Sequence, residues 1–118
     1  MPHVVLVSRD LTLASRLEGA ARVLGLSLQV APSLSSLPPC LDPACRLVLL
    51  DLAEDTLDPA AVVPQVRTGA PQARILAFGP HVQQATLAAA EAAGCDEVLS
   101  RGQFHRDLIT LLHTCASP

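Results

Sequence analysis

Five times along this chain a short apolar run gives way to a stretch with helical periodicity. The first run, His3-Val-Val-Leu-Val-Ser8, is almost continuously apolar, as a strand buried on both faces must be. In the segment after it, Leu13, Leu17, Ala20, Ala21 and Leu24 share one helical face, and Arg16, Glu18 and Arg22 lie off that face. Asp10 stands where an N-cap belongs and Gly25 where a helix stops, so the spacing predicts a helix over 11–25. Residues 26–30, 46–51, 73–78 and 96–100 read as further strands. The stretch 33–44 carries Pro38, Pro39 and Pro43 and has room for a short or irregular helix only. Asp58-Pro59 opens a helix over 59–69, which Pro64 is expected to kink or shorten. The alanine-rich stretch 82–93 is a strong helix former stopped by Gly94. The last helix is expected over 104–115, with Leu108, Leu111 and Leu112 facing inward.

Strands that alternate with helices imply an α/β domain, a parallel sheet covered by helices on both faces through right-handed crossovers. At 118 residues the chain has the size of a single domain, 1–118. Half of it is hydrophobic, and with two Phe and no Trp or Tyr the core must be aliphatic. The same scarcity argues against a stacking platform for single-stranded nucleic acid. A net charge of -3 with no basic cluster argues against duplex binding. All eight basic residues are arginine, so neither a Schiff-base lysine nor a phosphate-loop lysine is available. No apolar stretch of about 18 residues is present to span a membrane, and the N-terminus lacks the pattern of a secretory signal. A cytoplasmic protein is expected, with Cys40, Cys45, Cys95 and Cys115 as buried or incidental thiols rather than a metal site.

In open α/β sheets, function gathers beyond the carboxyl ends of the strands. Here those ends are Ser8-Arg9-Asp10, Asp51-Leu52, Phe78-Gly79 and Ser100-Arg101. The first turn, SRDLTLAS, has no glycine, which excludes the usual dinucleotide site. No Gly-x-Ser-x-Gly elbow is present. None of the four histidines accompanies a nucleophile motif, and each reads as a surface residue. The remaining combination is an acid after the first strand, an acid ending the third and a cation after the fifth.

On the stretches VLVSRDLTLASRL, RLVLLDLAED, ARILAFG and GCDEVLSRG, the chain resembles the receiver domain of two-component response regulators over essentially its whole length. The resemblance implies a flavodoxin-like three-layer sandwich with strand order 2-1-3-4-5 and about five helices. In that family two acids after the first strand and the third-strand aspartate hold a divalent cation, and the aspartate takes a phosphoryl group. A hydroxyl residue ending the fourth strand and a lysine ending the fifth bind the new phosphoryl oxygens. By resemblance Asp51 occupies the phospho-acceptor position and Asp10 the second acidic position. Arg9 stands in the first acidic position, Ala77 in place of the hydroxyl residue, Arg101 in place of the lysine and Gly102 in place of the proline after it. Val98 falls near the place of the aromatic partner of the hydroxyl switch.

A guanidinium in the cleft would repel a divalent cation and pair with Asp10 or Asp51, so magnesium binding is expected to be weak or absent and no other cofactor is expected. The resemblance with these departures implies a pseudo-receiver: a non-enzymatic signalling module that contacts a protein partner, with a homodimer possible and no direct contact with nucleic acid or membrane. Gln83, Gln84 and Leu87 are the candidate interface residues. Two alternatives stay open, a working receiver phosphorylated on Asp51 and a small-ligand sensor at the same sheet edge.

Overall fold

In the computed structural model, which describes residues 3–53, 58–80 and 84–116, the first apolar run forms strand β1 (His3–Val7), buried along its whole length. It pairs in parallel with β2 (Ser27–Ala31) on one side and β3 (Cys45–Asp51) on the other. Strands β4 (Arg74–Gly79) and β5 (Glu97–Ser100) continue beyond β3, giving the parallel order β2-β1-β3-β4-β5. The chain winds outward in opposite directions from β1 and β3, so the switch point lies at their carboxyl ends.

The period of two along each strand divides the core into two layers. Val4, Leu6, Leu47, Leu49, Leu76 and Phe78 face the helices α1 (Leu11–Val23) and α4 (Arg101–Ala116). Val5, Val7, Val48, Leu50, Ile75 and Ala77 face α2 (Pro59–Gly69) and α3 (Gln84–Ala92). Burying each such Val or Leu contributes about 1.5–3 kcal/mol, which is how a core with two aromatics suffices. Parity alone puts Ser8 and Asp51 on the α1/α4 side, in step with Leu6 and Leu49.

Helix boundaries follow from their caps. The Asp10 carboxylate accepts from Leu13 N at 3.1 Å and that of Asp58 from Ala60 N at 3.1 Å. At the other ends, Gly25 (φ 74°) and Gly94 (φ 103°) take the left-handed conformation. There Leu26 N returns to Ala21 O and Cys95 N to Ala90 O, satisfying carbonyls that the helix leaves open.

The structure corrects several expectations. Four α-helices are present among the described residues, and the proline-rich 33–44 region holds two 3₁₀ turns, Leu34–Ser36 and Pro38–Cys40. Helix α2 runs on through Pro64 to Gly69; only the bond from residue 64 to the exposed residue 60 is forgone. Helix α4 begins at Arg101, not at residue 104. The cause is a capping box in Ser100-Arg-Gly-Gln103: Gln103 N donates to Ser100 Oγ at 3.2 Å and Ser100 N to Gln103 Oε1 at 3.1 Å. Residues 82 and 83, expected to open the fourth helical segment, lie outside the described residues. His3 is not a surface residue but 4 % exposed, its Nε2 at 3.1 Å from Cys40 O. Among the described residues no helix is long and apolar enough to cross a membrane.

Candidate functional site

Strand β3 buries five of its six residues before it reaches Asp51, leaving only Arg46 exposed, and the Asp51 side chain is itself 2 % exposed. A carboxylate so placed must be satisfied by donors. Oδ2 accepts from Ser8 Oγ at 2.7 Å. Oδ1 accepts from Arg101 Nη2 at 3.0 Å and from Ala53 N at 3.0 Å. The Ser8 hydroxyl in turn accepts from Asp10 N at 3.0 Å, which ties the end of β1 to the start of α1.

Arg101 bridges two acids. Its Nη1 lies 3.7 Å from Asp10 Oδ2, while Nη2 holds Asp51. The capping box makes this possible, because it places residue 101 on the first turn of α4 directly above the sheet edge. The guanidinium also lies over the Phe78 ring, 5.6 Å from its centroid, and Phe78 stacks on Phe104 at 4.0 Å with the rings 4° apart. One turn further along α4, His105 Nδ1 accepts from Arg16 Nη1 at 2.9 Å. Burial first, then the positive charges of Arg16 and Arg101, pull the His105 imidazole below its usual range, against the opposing pull of Asp10.

Asp10, Asp51 and Arg101 therefore come together at one end of the sheet. Arg9 is exposed, and its Nε donates to Pro32 O at 3.3 Å beyond the end of β2. Ala77 does not stand at the site. It is fully buried two residues short of the strand end, paired with Leu50 and Val98, and parity turns it to the α2/α3 side. The residue at the end of β4 is Gly79, opposite Ser100. A Cβ there would meet Leu52 Cβ at 3.0 Å, so the backbone packs too closely for a hydroxyl side chain without a shift. Val98 is half-buried against the α2/α3 core, and Gly102 is exposed on the first turn of α4.

Of the interface candidates, Gln84 is exposed and Gln83 lies outside the described residues. Leu87 is half-buried, packed on the α2/α3 core with Cδ2 toward Gly79, and so serves the core as much as the surface. It forms part of an open groove with Gln84, Ala88, Glu91, Val98 and Gln103. Ser8 was legible only through register: Val7 pairs with Leu50, so the next residue of the first strand must face Asp51. Phe78, next to Asp51 across β3 and β4, follows from the same rule. Among the described residues no three His, Cys, Asp or Glu side chains gather as metal ligands would.

Comparison with protein-family models gives no match, nor does comparison with curated proteins. Solved structures do match. A response regulator from Thermotoga maritima superposes with a TM-score of 0.76 at 14% identity, covering 100% of this chain and 99% of that one. The receiver domain of a sensor histidine kinase from Pseudomonas aeruginosa, solved with magnesium in its active-site cleft, gives 0.74 at 16%, covering 99% and 98%. An atypical orphan response regulator, described with a phosphorylation-independent regulatory mechanism, gives 0.71 at 15%, covering 97% and 94%. With strand order, helix placement and whole-chain superposition in agreement, the fold of this chain is that of the response-regulator receiver domains.

Proposed function

We propose that this chain is an atypical receiver: a signalling module that works through protein contact, in which Arg101 holds Asp51 in place of a cycle of magnesium-dependent phosphorylation. The observation that carries this is the 3.0 Å ion pair between Arg101 and a nearly inaccessible Asp51 whose other oxygen is taken by Ser8. Magnesium needs a near-octahedral set of oxygens. Here a hydroxyl donates into the carboxylate from β1, an arginine occupies the next position, and a guanidinium sits where the cation's charge would act. The residues do not fit the ion. The atypical orphan regulator of like fold is a precedent for signalling without phosphorylation.

The test is incubation with a small phosphodonor and magnesium, followed by intact mass measurement. No phosphoryl adduct is expected, and about 10 mM magnesium is expected to leave the melting temperature unchanged, since an ion with no site adds no binding free energy. A stoichiometric adduct lost on Asp51→Asn would establish the working receiver instead.

The contact surface on this reading is the groove between α3, β5 and the start of α4. It is open and, apart from Glu91, uncharged, with Gln84 and Ala88 exposed around Leu87. Ala88→Arg is the better probe than a change at Leu87, because Ala88 is exposed while Leu87 packs on the core. The variant is expected to fold as the wild type and to lose self-association in light scattering or partner binding in pull-down. Unchanged behaviour in both assays would remove this face from consideration.

A further inference from the structure

Helices α1 and α4 meet at a polar contact that tolerates only one protonation state. Arg16 Nη1 and His105 Nδ1 are 2.9 Å apart. Arginine carries donors alone, so Nδ1 must offer a lone pair, and the ring must be neutral with its proton on Nε2. Protonation converts that acceptor into a second donor facing a donor, and the contact is lost. The charges acting on the ring come from three places. Arg16 on α1 and Arg101 one turn earlier on α4 oppose an imidazolium, and Asp10 at the cap of α1 favours it. His105 also meets Phe104 edge to face, with centroids 5.8 Å apart, so its ring is held against the platform beneath Arg101.

We propose that His105 makes the α1–α4 seam, and through it the grip of Arg101 on Asp51, sensitive to acid. The neutral ring holds Arg16 and leaves Arg101 to the two aspartates. The protonated ring releases Arg16 and sets a third cation beside Arg16 and Arg101, with Asp10, paired to Arg101, as the carboxylate whose charge also acts on the ring. Asp10 is then drawn between them, and the bridge from Asp10 to Asp51 weakens. This inference rests on the reading of Arg101 as the holder of Asp51.

The sign follows from the folded-state depression of the His105 imidazole. Its contribution to stability is complete above the ordinary histidine value of about 6.5 and is lost as pH falls through the lower folded value. The experiment compares wild type with His105→Gln, whose amide oxygen can accept from Arg16 and does not titrate. His105→Asn serves as a second neutral variant if glutamine folds poorly. Thermal melts are recorded from about pH 7.5 to about pH 5.5, bracketing the histidine range. Wild type is expected to lose about 3 °C more than the variant over that interval, a shift that a fraction of one hydrogen bond produces in a domain of this size. Comparison with the variant removes the contributions of the other histidines.

The second readout is the Arg101 side-chain Nε–H resonance. In wild type it is expected to move with the same midpoint as the His105 ring, and in the variant to stay still. A pH-dependent melt identical in both proteins, or an Arg101 signal that ignores the His105 titration, overturns the proposal. An Arg101 signal insensitive to Asp51→Asn at about pH 7.5, above the histidine range, would instead overturn the underlying Arg101–Asp51 reading, and so separates the two failures.

Discussion

Arg101→Ala is expected to destabilise the fold by about 2–3 kcal/mol, several times the effect of an ordinary surface substitution. The reason is what it leaves behind. Asp51 is 2 % exposed and, among the described residues, keeps the Ser8 hydroxyl and the Ala53 amide as donors once the guanidinium is gone. Removing one partner of a fully buried pair costs about 3–5 kcal/mol, and a value at or below the bottom of that range applies here because Arg101 is 31% exposed and its own desolvation is partial. Asp51→Asn removes the charge along with the need to neutralise it, and is expected to cost about 1–3 kcal/mol. The two side chains touch, so their effects are not additive, and the double variant should be less destabilised than the sum of the singles. Urea denaturation of the four proteins closes this cycle. If Arg101→Ala loses less than about 0.5 kcal/mol, in the range of a free surface arginine, the ion pair is not holding the site.

Much of this fold is written in local chemistry. The unbroken apolar strands, the aspartate caps and the two glycine stops each act within a few residues, and the structure follows them at Asp10, Asp58, Gly25 and Gly94. What eluded the sequence depends on geometry across strands or on side-chain pairing. By resemblance Ala77 stands in place of the hydroxyl residue that ends the fourth strand. The strand ends at Gly79, two residues on, and parity sends Ala77 into the opposite core layer. Ser8 looked like the last polar residue of a strand, and only the register with Leu50 reveals it as a donor to Asp51. The start of α4 was misplaced because the hydrophobic pattern begins at Phe104, whereas the capping box at Ser100 and Gln103 begins the helix three residues earlier. That shift matters to the site more than to the fold, since it lifts Arg101 from a loop to a fixed position above Asp51. His3 shows the converse: a polar residue at the edge of an apolar run is buried because a backbone carbonyl, Cys40 O, accepts from it.

Phe104→Ala is expected to be the most damaging single change, at about 3–5 kcal/mol. Phe104 is fully buried in a layer whose other members, Phe78 apart, are aliphatic, among Leu108, Leu112 and the β1, β3 and β4 side chains. Truncation leaves a cavity that short, rigid strands cannot collapse to fill, which is the condition under which large-to-small changes cost most. It also breaks the stack with Phe78, worth about 0.5–1.5 kcal/mol beyond the area buried. Phe104→Leu keeps most of the volume and loses the stack, so it separates the two contributions and is expected to cost about 1–2 kcal/mol. The consequence reaches the site, because the Arg101 guanidinium also lies over the Phe78 ring. With Phe104 gone the Phe78 ring loses its backing, and the Arg101 Nε–H resonance is expected to broaden or shift even in molecules that remain folded. Denaturant midpoints with an unchanged m-value measure the stability change, and the arginine resonance measures the coupling. A loss below about 1 kcal/mol on Phe104→Ala would mean that the core repacks around the gap and the stack is incidental. A full loss of stability with an unmoved arginine signal would mean that the platform supports the fold and leaves the Arg101 grip untouched.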